Sequence, residues 1–250
     1  MGTGLEALAA AWRRADSVVV LTGAGLSTAS GIPDFRSPGG RWERYRPVQY
    51  QDFLATEEAR ETYWRYKGET WQVIRAAAPN AAHLALAALA HAERLTLLVT
   101  QNVDGLHERS GFPAGQLVNI HGTDSAVVCV ACQRRETRAL AQALWEAGSA
   151  VPRCPCGGVW KPATISFGQS LLAEDLERAM RAAAACDLFV AAGTSLVVGP
   201  INQMFVLAKR GGAACAILTA SETPYDENAN WKLTAPLADV LPALRDRILG

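Results

Sequence analysis

Four cysteines stand in two close pairs, Cys129-x-x-Cys132 and Cys154-x-Cys156, each beside turn formers such as Gln133, Arg134, Pro155, Gly157 and Gly158. Thiolates spaced this way can close a tetrahedral shell around one zinc ion, a structural site sealed against substrate. The second pair is one residue shorter than the usual C-x-x-C, which narrows its chelate loop. Cys186 and Cys215 stand singly beside apolar runs, where a free thiol behaves as a small hydrophobe. With no export signal at the N-terminus, six cysteines do not read as a disulfide framework.

Three polar segments point to a different chemistry. Gly23 to Ser37 reads GAGLSTASGIPDFRS. Gly23 and Gly25 allow a tight turn and close approach to a pyrophosphate, whose charge Ala24, Ser27 and Thr28 can meet with amides and hydroxyls. As a dinucleotide fingerprint it is incomplete, because Thr28 stands where G-x-G-x-x-G needs its third glycine, and a plain strand-to-helix turn fits the same letters. The continuation through Asp34, Phe35 and Arg36 favours a pocket, since carboxylate, aromatic and guanidinium together suit a charged heteroaromatic cofactor. Thr100 to His107 reads TQNVDGLH. Gln101, Asn102 and Asp104 can bond ribose hydroxyls or a carboxamide, or they can satisfy their own backbone as an Asx-rich turn. Asn119 to Thr123 reads NIHGT, and His121 has the side chain suited to proton transfer near neutrality, with Gly122 leaving room beside it. A lone histidine is also commonly structural, and His83, His91 and His107 read as helix or turn residues.

These segments need a scaffold. Four short apolar runs, Ser17 to Thr22, Thr96 to Thr100, Leu188 to Ala192 and Ala214 to Thr219, read as buried parallel strands. Helical patterns at Gly4 to Ala15, His83 to His91 and Leu172 to Ala185 alternate with them, which predicts a doubly wound α/β fold. Ligand chemistry then belongs at the carboxyl ends of the strands, where the polar segments fall, Gly193 to Ser195 included. Two stretches interrupt the alternation: residues 39–79, rich in Trp, Tyr, Arg and Glu at helical spacing, and residues 125–161, holding the four clustered cysteines. We expect a large domain of residues 1–38, 80–124 and 162–250, with a 39–79 helical module and a 125–161 zinc-binding module forming a smaller lobe. Charge is balanced, with Lys plus Arg at 24 and Asp plus Glu at 24, giving no reason to expect direct nucleic-acid or anionic-membrane partners. No apolar run reaches the roughly 18 residues of a spanning helix. The expectation is a cytoplasmic protein; the oligomeric state is not legible.

In this order the segments resemble the sirtuins. GAGLSTASGIPDFRS, TQNVDGLH, HGT, the paired cysteines, KPATISFGQ and GTSLVVGP match the family's signature blocks from Val20 to Pro242, and RPVQYQDFLATEEARETYWRYK with ILTASETPYDENANWKL is similar to its class II branch. The resemblance implies a Rossmann-like doubly wound parallel sheet with the smaller zinc-binding and helical lobe inserted. It implies NAD-dependent removal of an acyl group, acetyl or a longer neutral chain, from protein lysine, giving nicotinamide and acyl-ADP-ribose. NAD would meet Gly23, Ala24, Gly25, Ser27, Asp34, Phe35 and Arg36 at its phosphates and nicotinamide, and Gln101, Asn102 and Asp104 at the ribose and carboxamide. Gly193, Thr194, Ser195 and Thr219 would lie toward adenosine. The acyl-lysine would meet Phe35, Ile165, Phe167, Gly168, Val197 and Val198. His121 would be the general base, with Asn102 beside it in the catalytic set, and Cys129, Cys132, Cys154 and Cys156 would hold zinc.

The match has departures. Gln169 stands for a usual Glu, Thr219 for a usual Asn, and Asn119-Ile120 for Glu-Leu before the histidine. Desuccinylating sirtuins carry Tyr and, three residues on, Arg; the nearest match here is Tyr63 with Tyr66, with Lys67 adjoining, so succinyl-lysine is expected to be a poor substrate. Competing expectations are protein mono-ADP-ribosylation, plain NAD hydrolysis, and a weakly catalytic NAD-binding regulatory module.

Overall fold

The computed structural model describes residues 2–35, 40 and 45–250. In chain order the elements are α1 (Gly2–Arg14), β1 (Val18–Thr22), α2 (Tyr50–Ala55), α3 (Glu57–Ala76), α4 (Ala81–His91), β2 (Leu97–Thr100), α5 (Leu106–Arg109), β3 (Leu117–Asn119) and β4 (Gly122–Cys129). There follow β5 (Arg135–Thr137), α6 (Arg138–Glu146), β6 (Trp160–Thr164), α7 (Ala173–Ala185), β7 (Leu188–Ala192), α8 (Gln203–Arg210), β8 (Ala214–Leu218), β9 (Trp231–Leu233) and α9 (Leu237–Leu249).

Six strands form one parallel sheet in the order β3-β2-β1-β7-β8-β9. The side-chain period of two distributes each central strand between two cores. Val18 and Val20 enter one apolar cluster with α1, α4 and α9, while Val19 and Leu21 enter another with α7 and α8. Burial on both faces explains why these strands read as unbroken apolar runs. Cys215, on β8, is fully buried, and Cys186 nearly so. The doubly wound parallel sheet expected from the sequence is present. Chain order reverses between β1 and β7, so the switch point lies at their carboxyl ends.

The two insertions share a core of their own. Phe53, Tyr63 and Trp64 of α2 and α3 pack with Val127, Cys129, Ala141, Val151, Cys154 and Trp160 from the cysteine-bearing segment. Trp64 Nε1 donates to the Trp160 carbonyl at 2.9 Å, and Gly68 lies so close to the Trp145 ring that a Cβ there would stand 2.7 Å from it. An antiparallel sheet, β5-β4-β6, floors this lobe. The boundaries expected near residues 124 and 161 fall inside β4 and β6, which run from the large sheet's ligand edge into the lobe. Among the described residues no single helix is long and apolar enough to cross a membrane.

Candidate active site

The loops leaving β1 and β7 cross at the switch point. Gly25 N donates to Gly193 O at 2.9 Å, and a Cβ on Gly23 would come within 2.7 Å of that same oxygen, so glycine at 23 is required by the approach of the two backbones. The loop after β2 laces them together. Gln101 Nε2 donates to Thr194 Oγ1 at 2.8 Å, and Asn102 Nδ2 donates to Gly23 O and Ser27 Oγ, both at 3.1 Å. Ser27 Oγ in turn donates to Asp104 Oδ2 at 2.7 Å, while Asp104 Oδ1 accepts from Leu106 N at 2.9 Å. The Asx turn is present, since Asp104 accepts from Leu106 N, and the same carboxylate also fixes Ser27. Behind them His107 is buried against Thr22, Nε2 to Oγ1 at 3.1 Å, and desolvation pushes its pKa down to about 3, so it is a neutral structural ring.

His121 closes the far side. Its Nδ1 lies 3.1 Å from the Gln101 carbonyl. A carbonyl only accepts, so Nδ1 carries the proton and Nε2 is left as the basic nitrogen. Burial pulls its pKa below the ordinary 6.5, partly offset by the Gln101 bond. Gly122 has φ +72, and a Cβ there would meet the Ala163 carbonyl at 2.1 Å, so only glycine lets β4 leave the histidine in this direction. Ile165 N donates to His121 O at 2.8 Å, tying the segment after β6 to the same point.

Gly23, Gly25, Ser27, Gln101, Asn102, Asp104, His121, Ile165, Gly193 and Thr194 line one cavity of about 1320 Å³ between the sheet edge and the smaller lobe, while His107 and Gly122 do not reach its lining. So does every other residue that the family resemblance assigned to cofactor or substrate, except Arg36, which lies outside the described residues; Thr28, considered above for the pyrophosphate, does not line it. Phe167 and Val197 present 45% and 49% of their surface, apolar faces exposed inside a cleft. Leu196 holds φ 55 with its side chain buried, which turns Val197 outward. The cavity also takes Tyr45, Thr164, Ser221 and Glu222, which the sequence reading did not single out. Ser221 and Glu222 follow β8 at its carboxyl end, where the switch-point rule could have found them.

Away from the cavity the four clustered cysteines converge, every Sγ within 4.8 Å of the others. Cys129 and Cys156 stand 3.5 Å apart and Cys132 and Cys154 3.8 Å, close to the roughly 3.8 Å edge of a tetrahedron with Zn–S bonds of about 2.3 Å. The shortened Cys154-x-Cys156 pair thus reaches the same centre, helped by Gly157 at φ 86. The donor set fits zinc.

Residues 23–200 match the profile of the Sir2 family. An NAD-dependent protein deacetylase of Rhodopseudomonas palustris is 39% identical over 243 residues, covering 96% of each chain. The chain belongs to the Sir2 family. A second relative, NAD-dependent protein deacetylase 1 of Pyrobaculum aerophilum, is 39% identical over 250 residues, 98% of this chain and 95% of its own. Among solved structures, a Sir2 homolog bound to NAD superposes with a TM-score of 0.85 at 32% identity, covering 98% of this chain and 93% of that one. Another, a Sir2 protein holding a deacetylated peptide and 3′-O-acetyl ADP ribose, gives 0.91 at 30% identity, with 98% of both chains covered. These likenesses span both the sheet and the inserted lobe of this Sir2 protein.

Proposed function

We propose that this Sir2 protein is an NAD-dependent protein-lysine deacylase in which His121 is the general base. The observation that carries the reading is the placement of His121, with its basic nitrogen freed by the Gln101 carbonyl, in one cavity with the glycine loops of the switch point and the exposed apolar faces of Phe167 and Val197. NAD, when bound, supplies an electrophilic anomeric carbon and a leaving nicotinamide. The protein supplies position: Gln101, Asn102 and Asp104 orient the ribose and carboxamide, the walls around Ile165 and Val198 hold the acyl oxygen in line, and a bimolecular displacement becomes a positioned one. His121 would then take the proton from the ribose hydroxyl as that oxygen bonds the acyl carbon; the bond from that carbon to the lysine nitrogen breaks, lysine leaves as the free amine, and one water completes acyl-ADP-ribose.

The direction of the His121 shift gives a pH dependence. A base works deprotonated, so kcat/KM should climb as pH rises through a value below 6.5 and be level by neutrality. An acidic limb centred above 7 would assign the base elsewhere.

For the acyl group we favour acetyl and longer neutral chains. Tyr63 is 5% exposed, with its hydroxyl 3.2 Å from Thr164 Oγ1, and the Lys67 ammonium is engaged by Asp124 at 3.4 Å. Nicotinamide release measured over a panel of acyl-lysine peptides should rank acetyl and butyryl above succinyl. A succinyl peptide turned over faster than both would overturn this preference. Six free thiols, four of them gathered for a metal, support placing the protein in a reducing compartment, the cytoplasm.

A further inference from the structure

β4 links the two chemistries of the molecule. His121 immediately precedes it and the zinc-site residue Cys129 ends it. Yet its pairing with β6 is broken: Gly122 is in register with Thr164 and Val127 with Pro162, five residues along β4 against two along β6. Pairing with β5 begins only at Ala126. Thr123, Asp124 and Ser125 therefore have no register partner in this sheet, and irregular backbone beside a catalytic residue must be fixed by other means.

Asp124 provides them. Its amide donates to Val103 O at 2.8 Å, in the loop that carries Gln101, Asn102 and Asp104. Its carboxylate is 1% exposed and lies between cations from both insertions. Oδ2 accepts from Lys67 Nζ of α3 at 3.4 Å, and Oδ1 faces Arg138 Nε, at the start of α6, also at 3.4 Å. This second contact lacks hydrogen-bond alignment and acts through charge. The guanidinium is wholly buried between the rings of Trp64, 4.8 Å away, and Trp71, 5.1 Å away, and its Nη2 donates to Lys67 O at 3.0 Å. Desolvation of charges this deep makes such a cluster a poor source of net stability, so its use is better sought in what it fixes.

We infer that Asp124 is a positioning residue of the deacylation site: gripped by Lys67 and Arg138, it pins the unpaired residues 123–125 that follow Gly122 in β4 and so sets the direction of His121. The inference rests on the reading of His121 as the base. It joins the zinc-bearing insertion, none of whose residues lines the cavity, to the proton-transfer step through Arg138.

The test is a double-mutant cycle. Asp124→Asn and Arg138→Lys are made alone and in the His121→Ala background, with kcat and KM for NAD measured on an acetyl-lysine peptide, ADP-ribose affinity by calorimetry, and zinc content and circular dichroism to report folding. A displacement of about an ångström can cost on the order of a hundredfold, so Asp124→Asn should lower kcat by roughly 10- to 100-fold with KM for NAD and ADP-ribose affinity nearly unchanged. Arg138→Lys, which keeps the charge but loses the stacked fork, should lose less, roughly three- to tenfold. Neither change should lower the residual rate of His121→Ala further, because groups acting through one residue are not additive. If Asp124→Asn fails to fold, Arg138→Lys decides. A kcat within twofold of the parent for the folded variants, or equal losses in both backgrounds, overturns the inference. His121→Ala turning over at the parent rate removes the base reading instead.

Discussion

Replacing His121 by Ala should reduce steady turnover of an acetyl-lysine peptide by about a hundredfold to ten-thousandfold, the range of positioned general-base help. The loss should fall on kcat. Asn102, Ser27 and Asp104 hold one another and the Gly23 backbone without the imidazole, so the cofactor-facing loops keep their shape when it is removed. ADP-ribose affinity measured by calorimetry should therefore change little. His121→Gln is the sharper companion, since a glutamine amide can still donate to the Gln101 carbonyl but cannot accept a proton at neutral pH. It should be as inactive as the alanine variant. A glutamine variant with near-parental kcat would mean that the ring is needed for shape and that the base lies elsewhere.

Stripping the metal from the four cysteines should unfold the smaller lobe and abolish turnover. Cys129 and Cys154 are themselves part of that lobe's apolar core. Structural zinc contributes on the order of 10–16 kcal/mol in small zinc modules, comparable with the whole stability of a typical domain, about 5–15 kcal/mol. Without it, four converging thiols face one another with nothing to hold them. Trp64, Trp145 and Trp160 pack around this core, so chelation should red-shift and weaken tryptophan emission while the parallel sheet and its helices keep most of the far-ultraviolet signal. Added zinc should restore emission and activity together, at one ion per chain. Cys129→Ser should mimic chelation. A metal-free protein with native emission and full kcat would show that the cluster is dispensable.

The parts legible in the sequence share a physical cause. β1, β2, β7 and β8 are covered on both faces, which forces continuous apolar runs, and the glycines at 23 and 193 answer a steric demand between two loops. β3 and β9 escaped because they are edge strands of three residues each, and β9 is only partly buried along its length. β5 escaped because Arg135-Glu136-Thr137 is polar throughout, and α9 because Pro242 lies inside it, a residue that normally signals a break. The Lys67, Asp124 and Arg138 cluster left no local trace, since its members come from three separate elements and meet only once both insertions fold together. Site residues on the loops after β1, β2 and β7 could be found because the sheet's topology gathers them at one edge; Thr164, reached through the antiparallel sheet, could not.

The most direct measurement follows the label of NAD carrying ³²P in its adenylate phosphate, incubated with the zinc-loaded protein and an acetyl-lysine peptide. The account predicts that label leaves in a small acyl-ADP-ribose, formed one for one with nicotinamide and with free-lysine peptide, and that omitting the peptide all but stops nicotinamide release. Label fixed on protein, or nicotinamide released as fast without peptide, would contradict it.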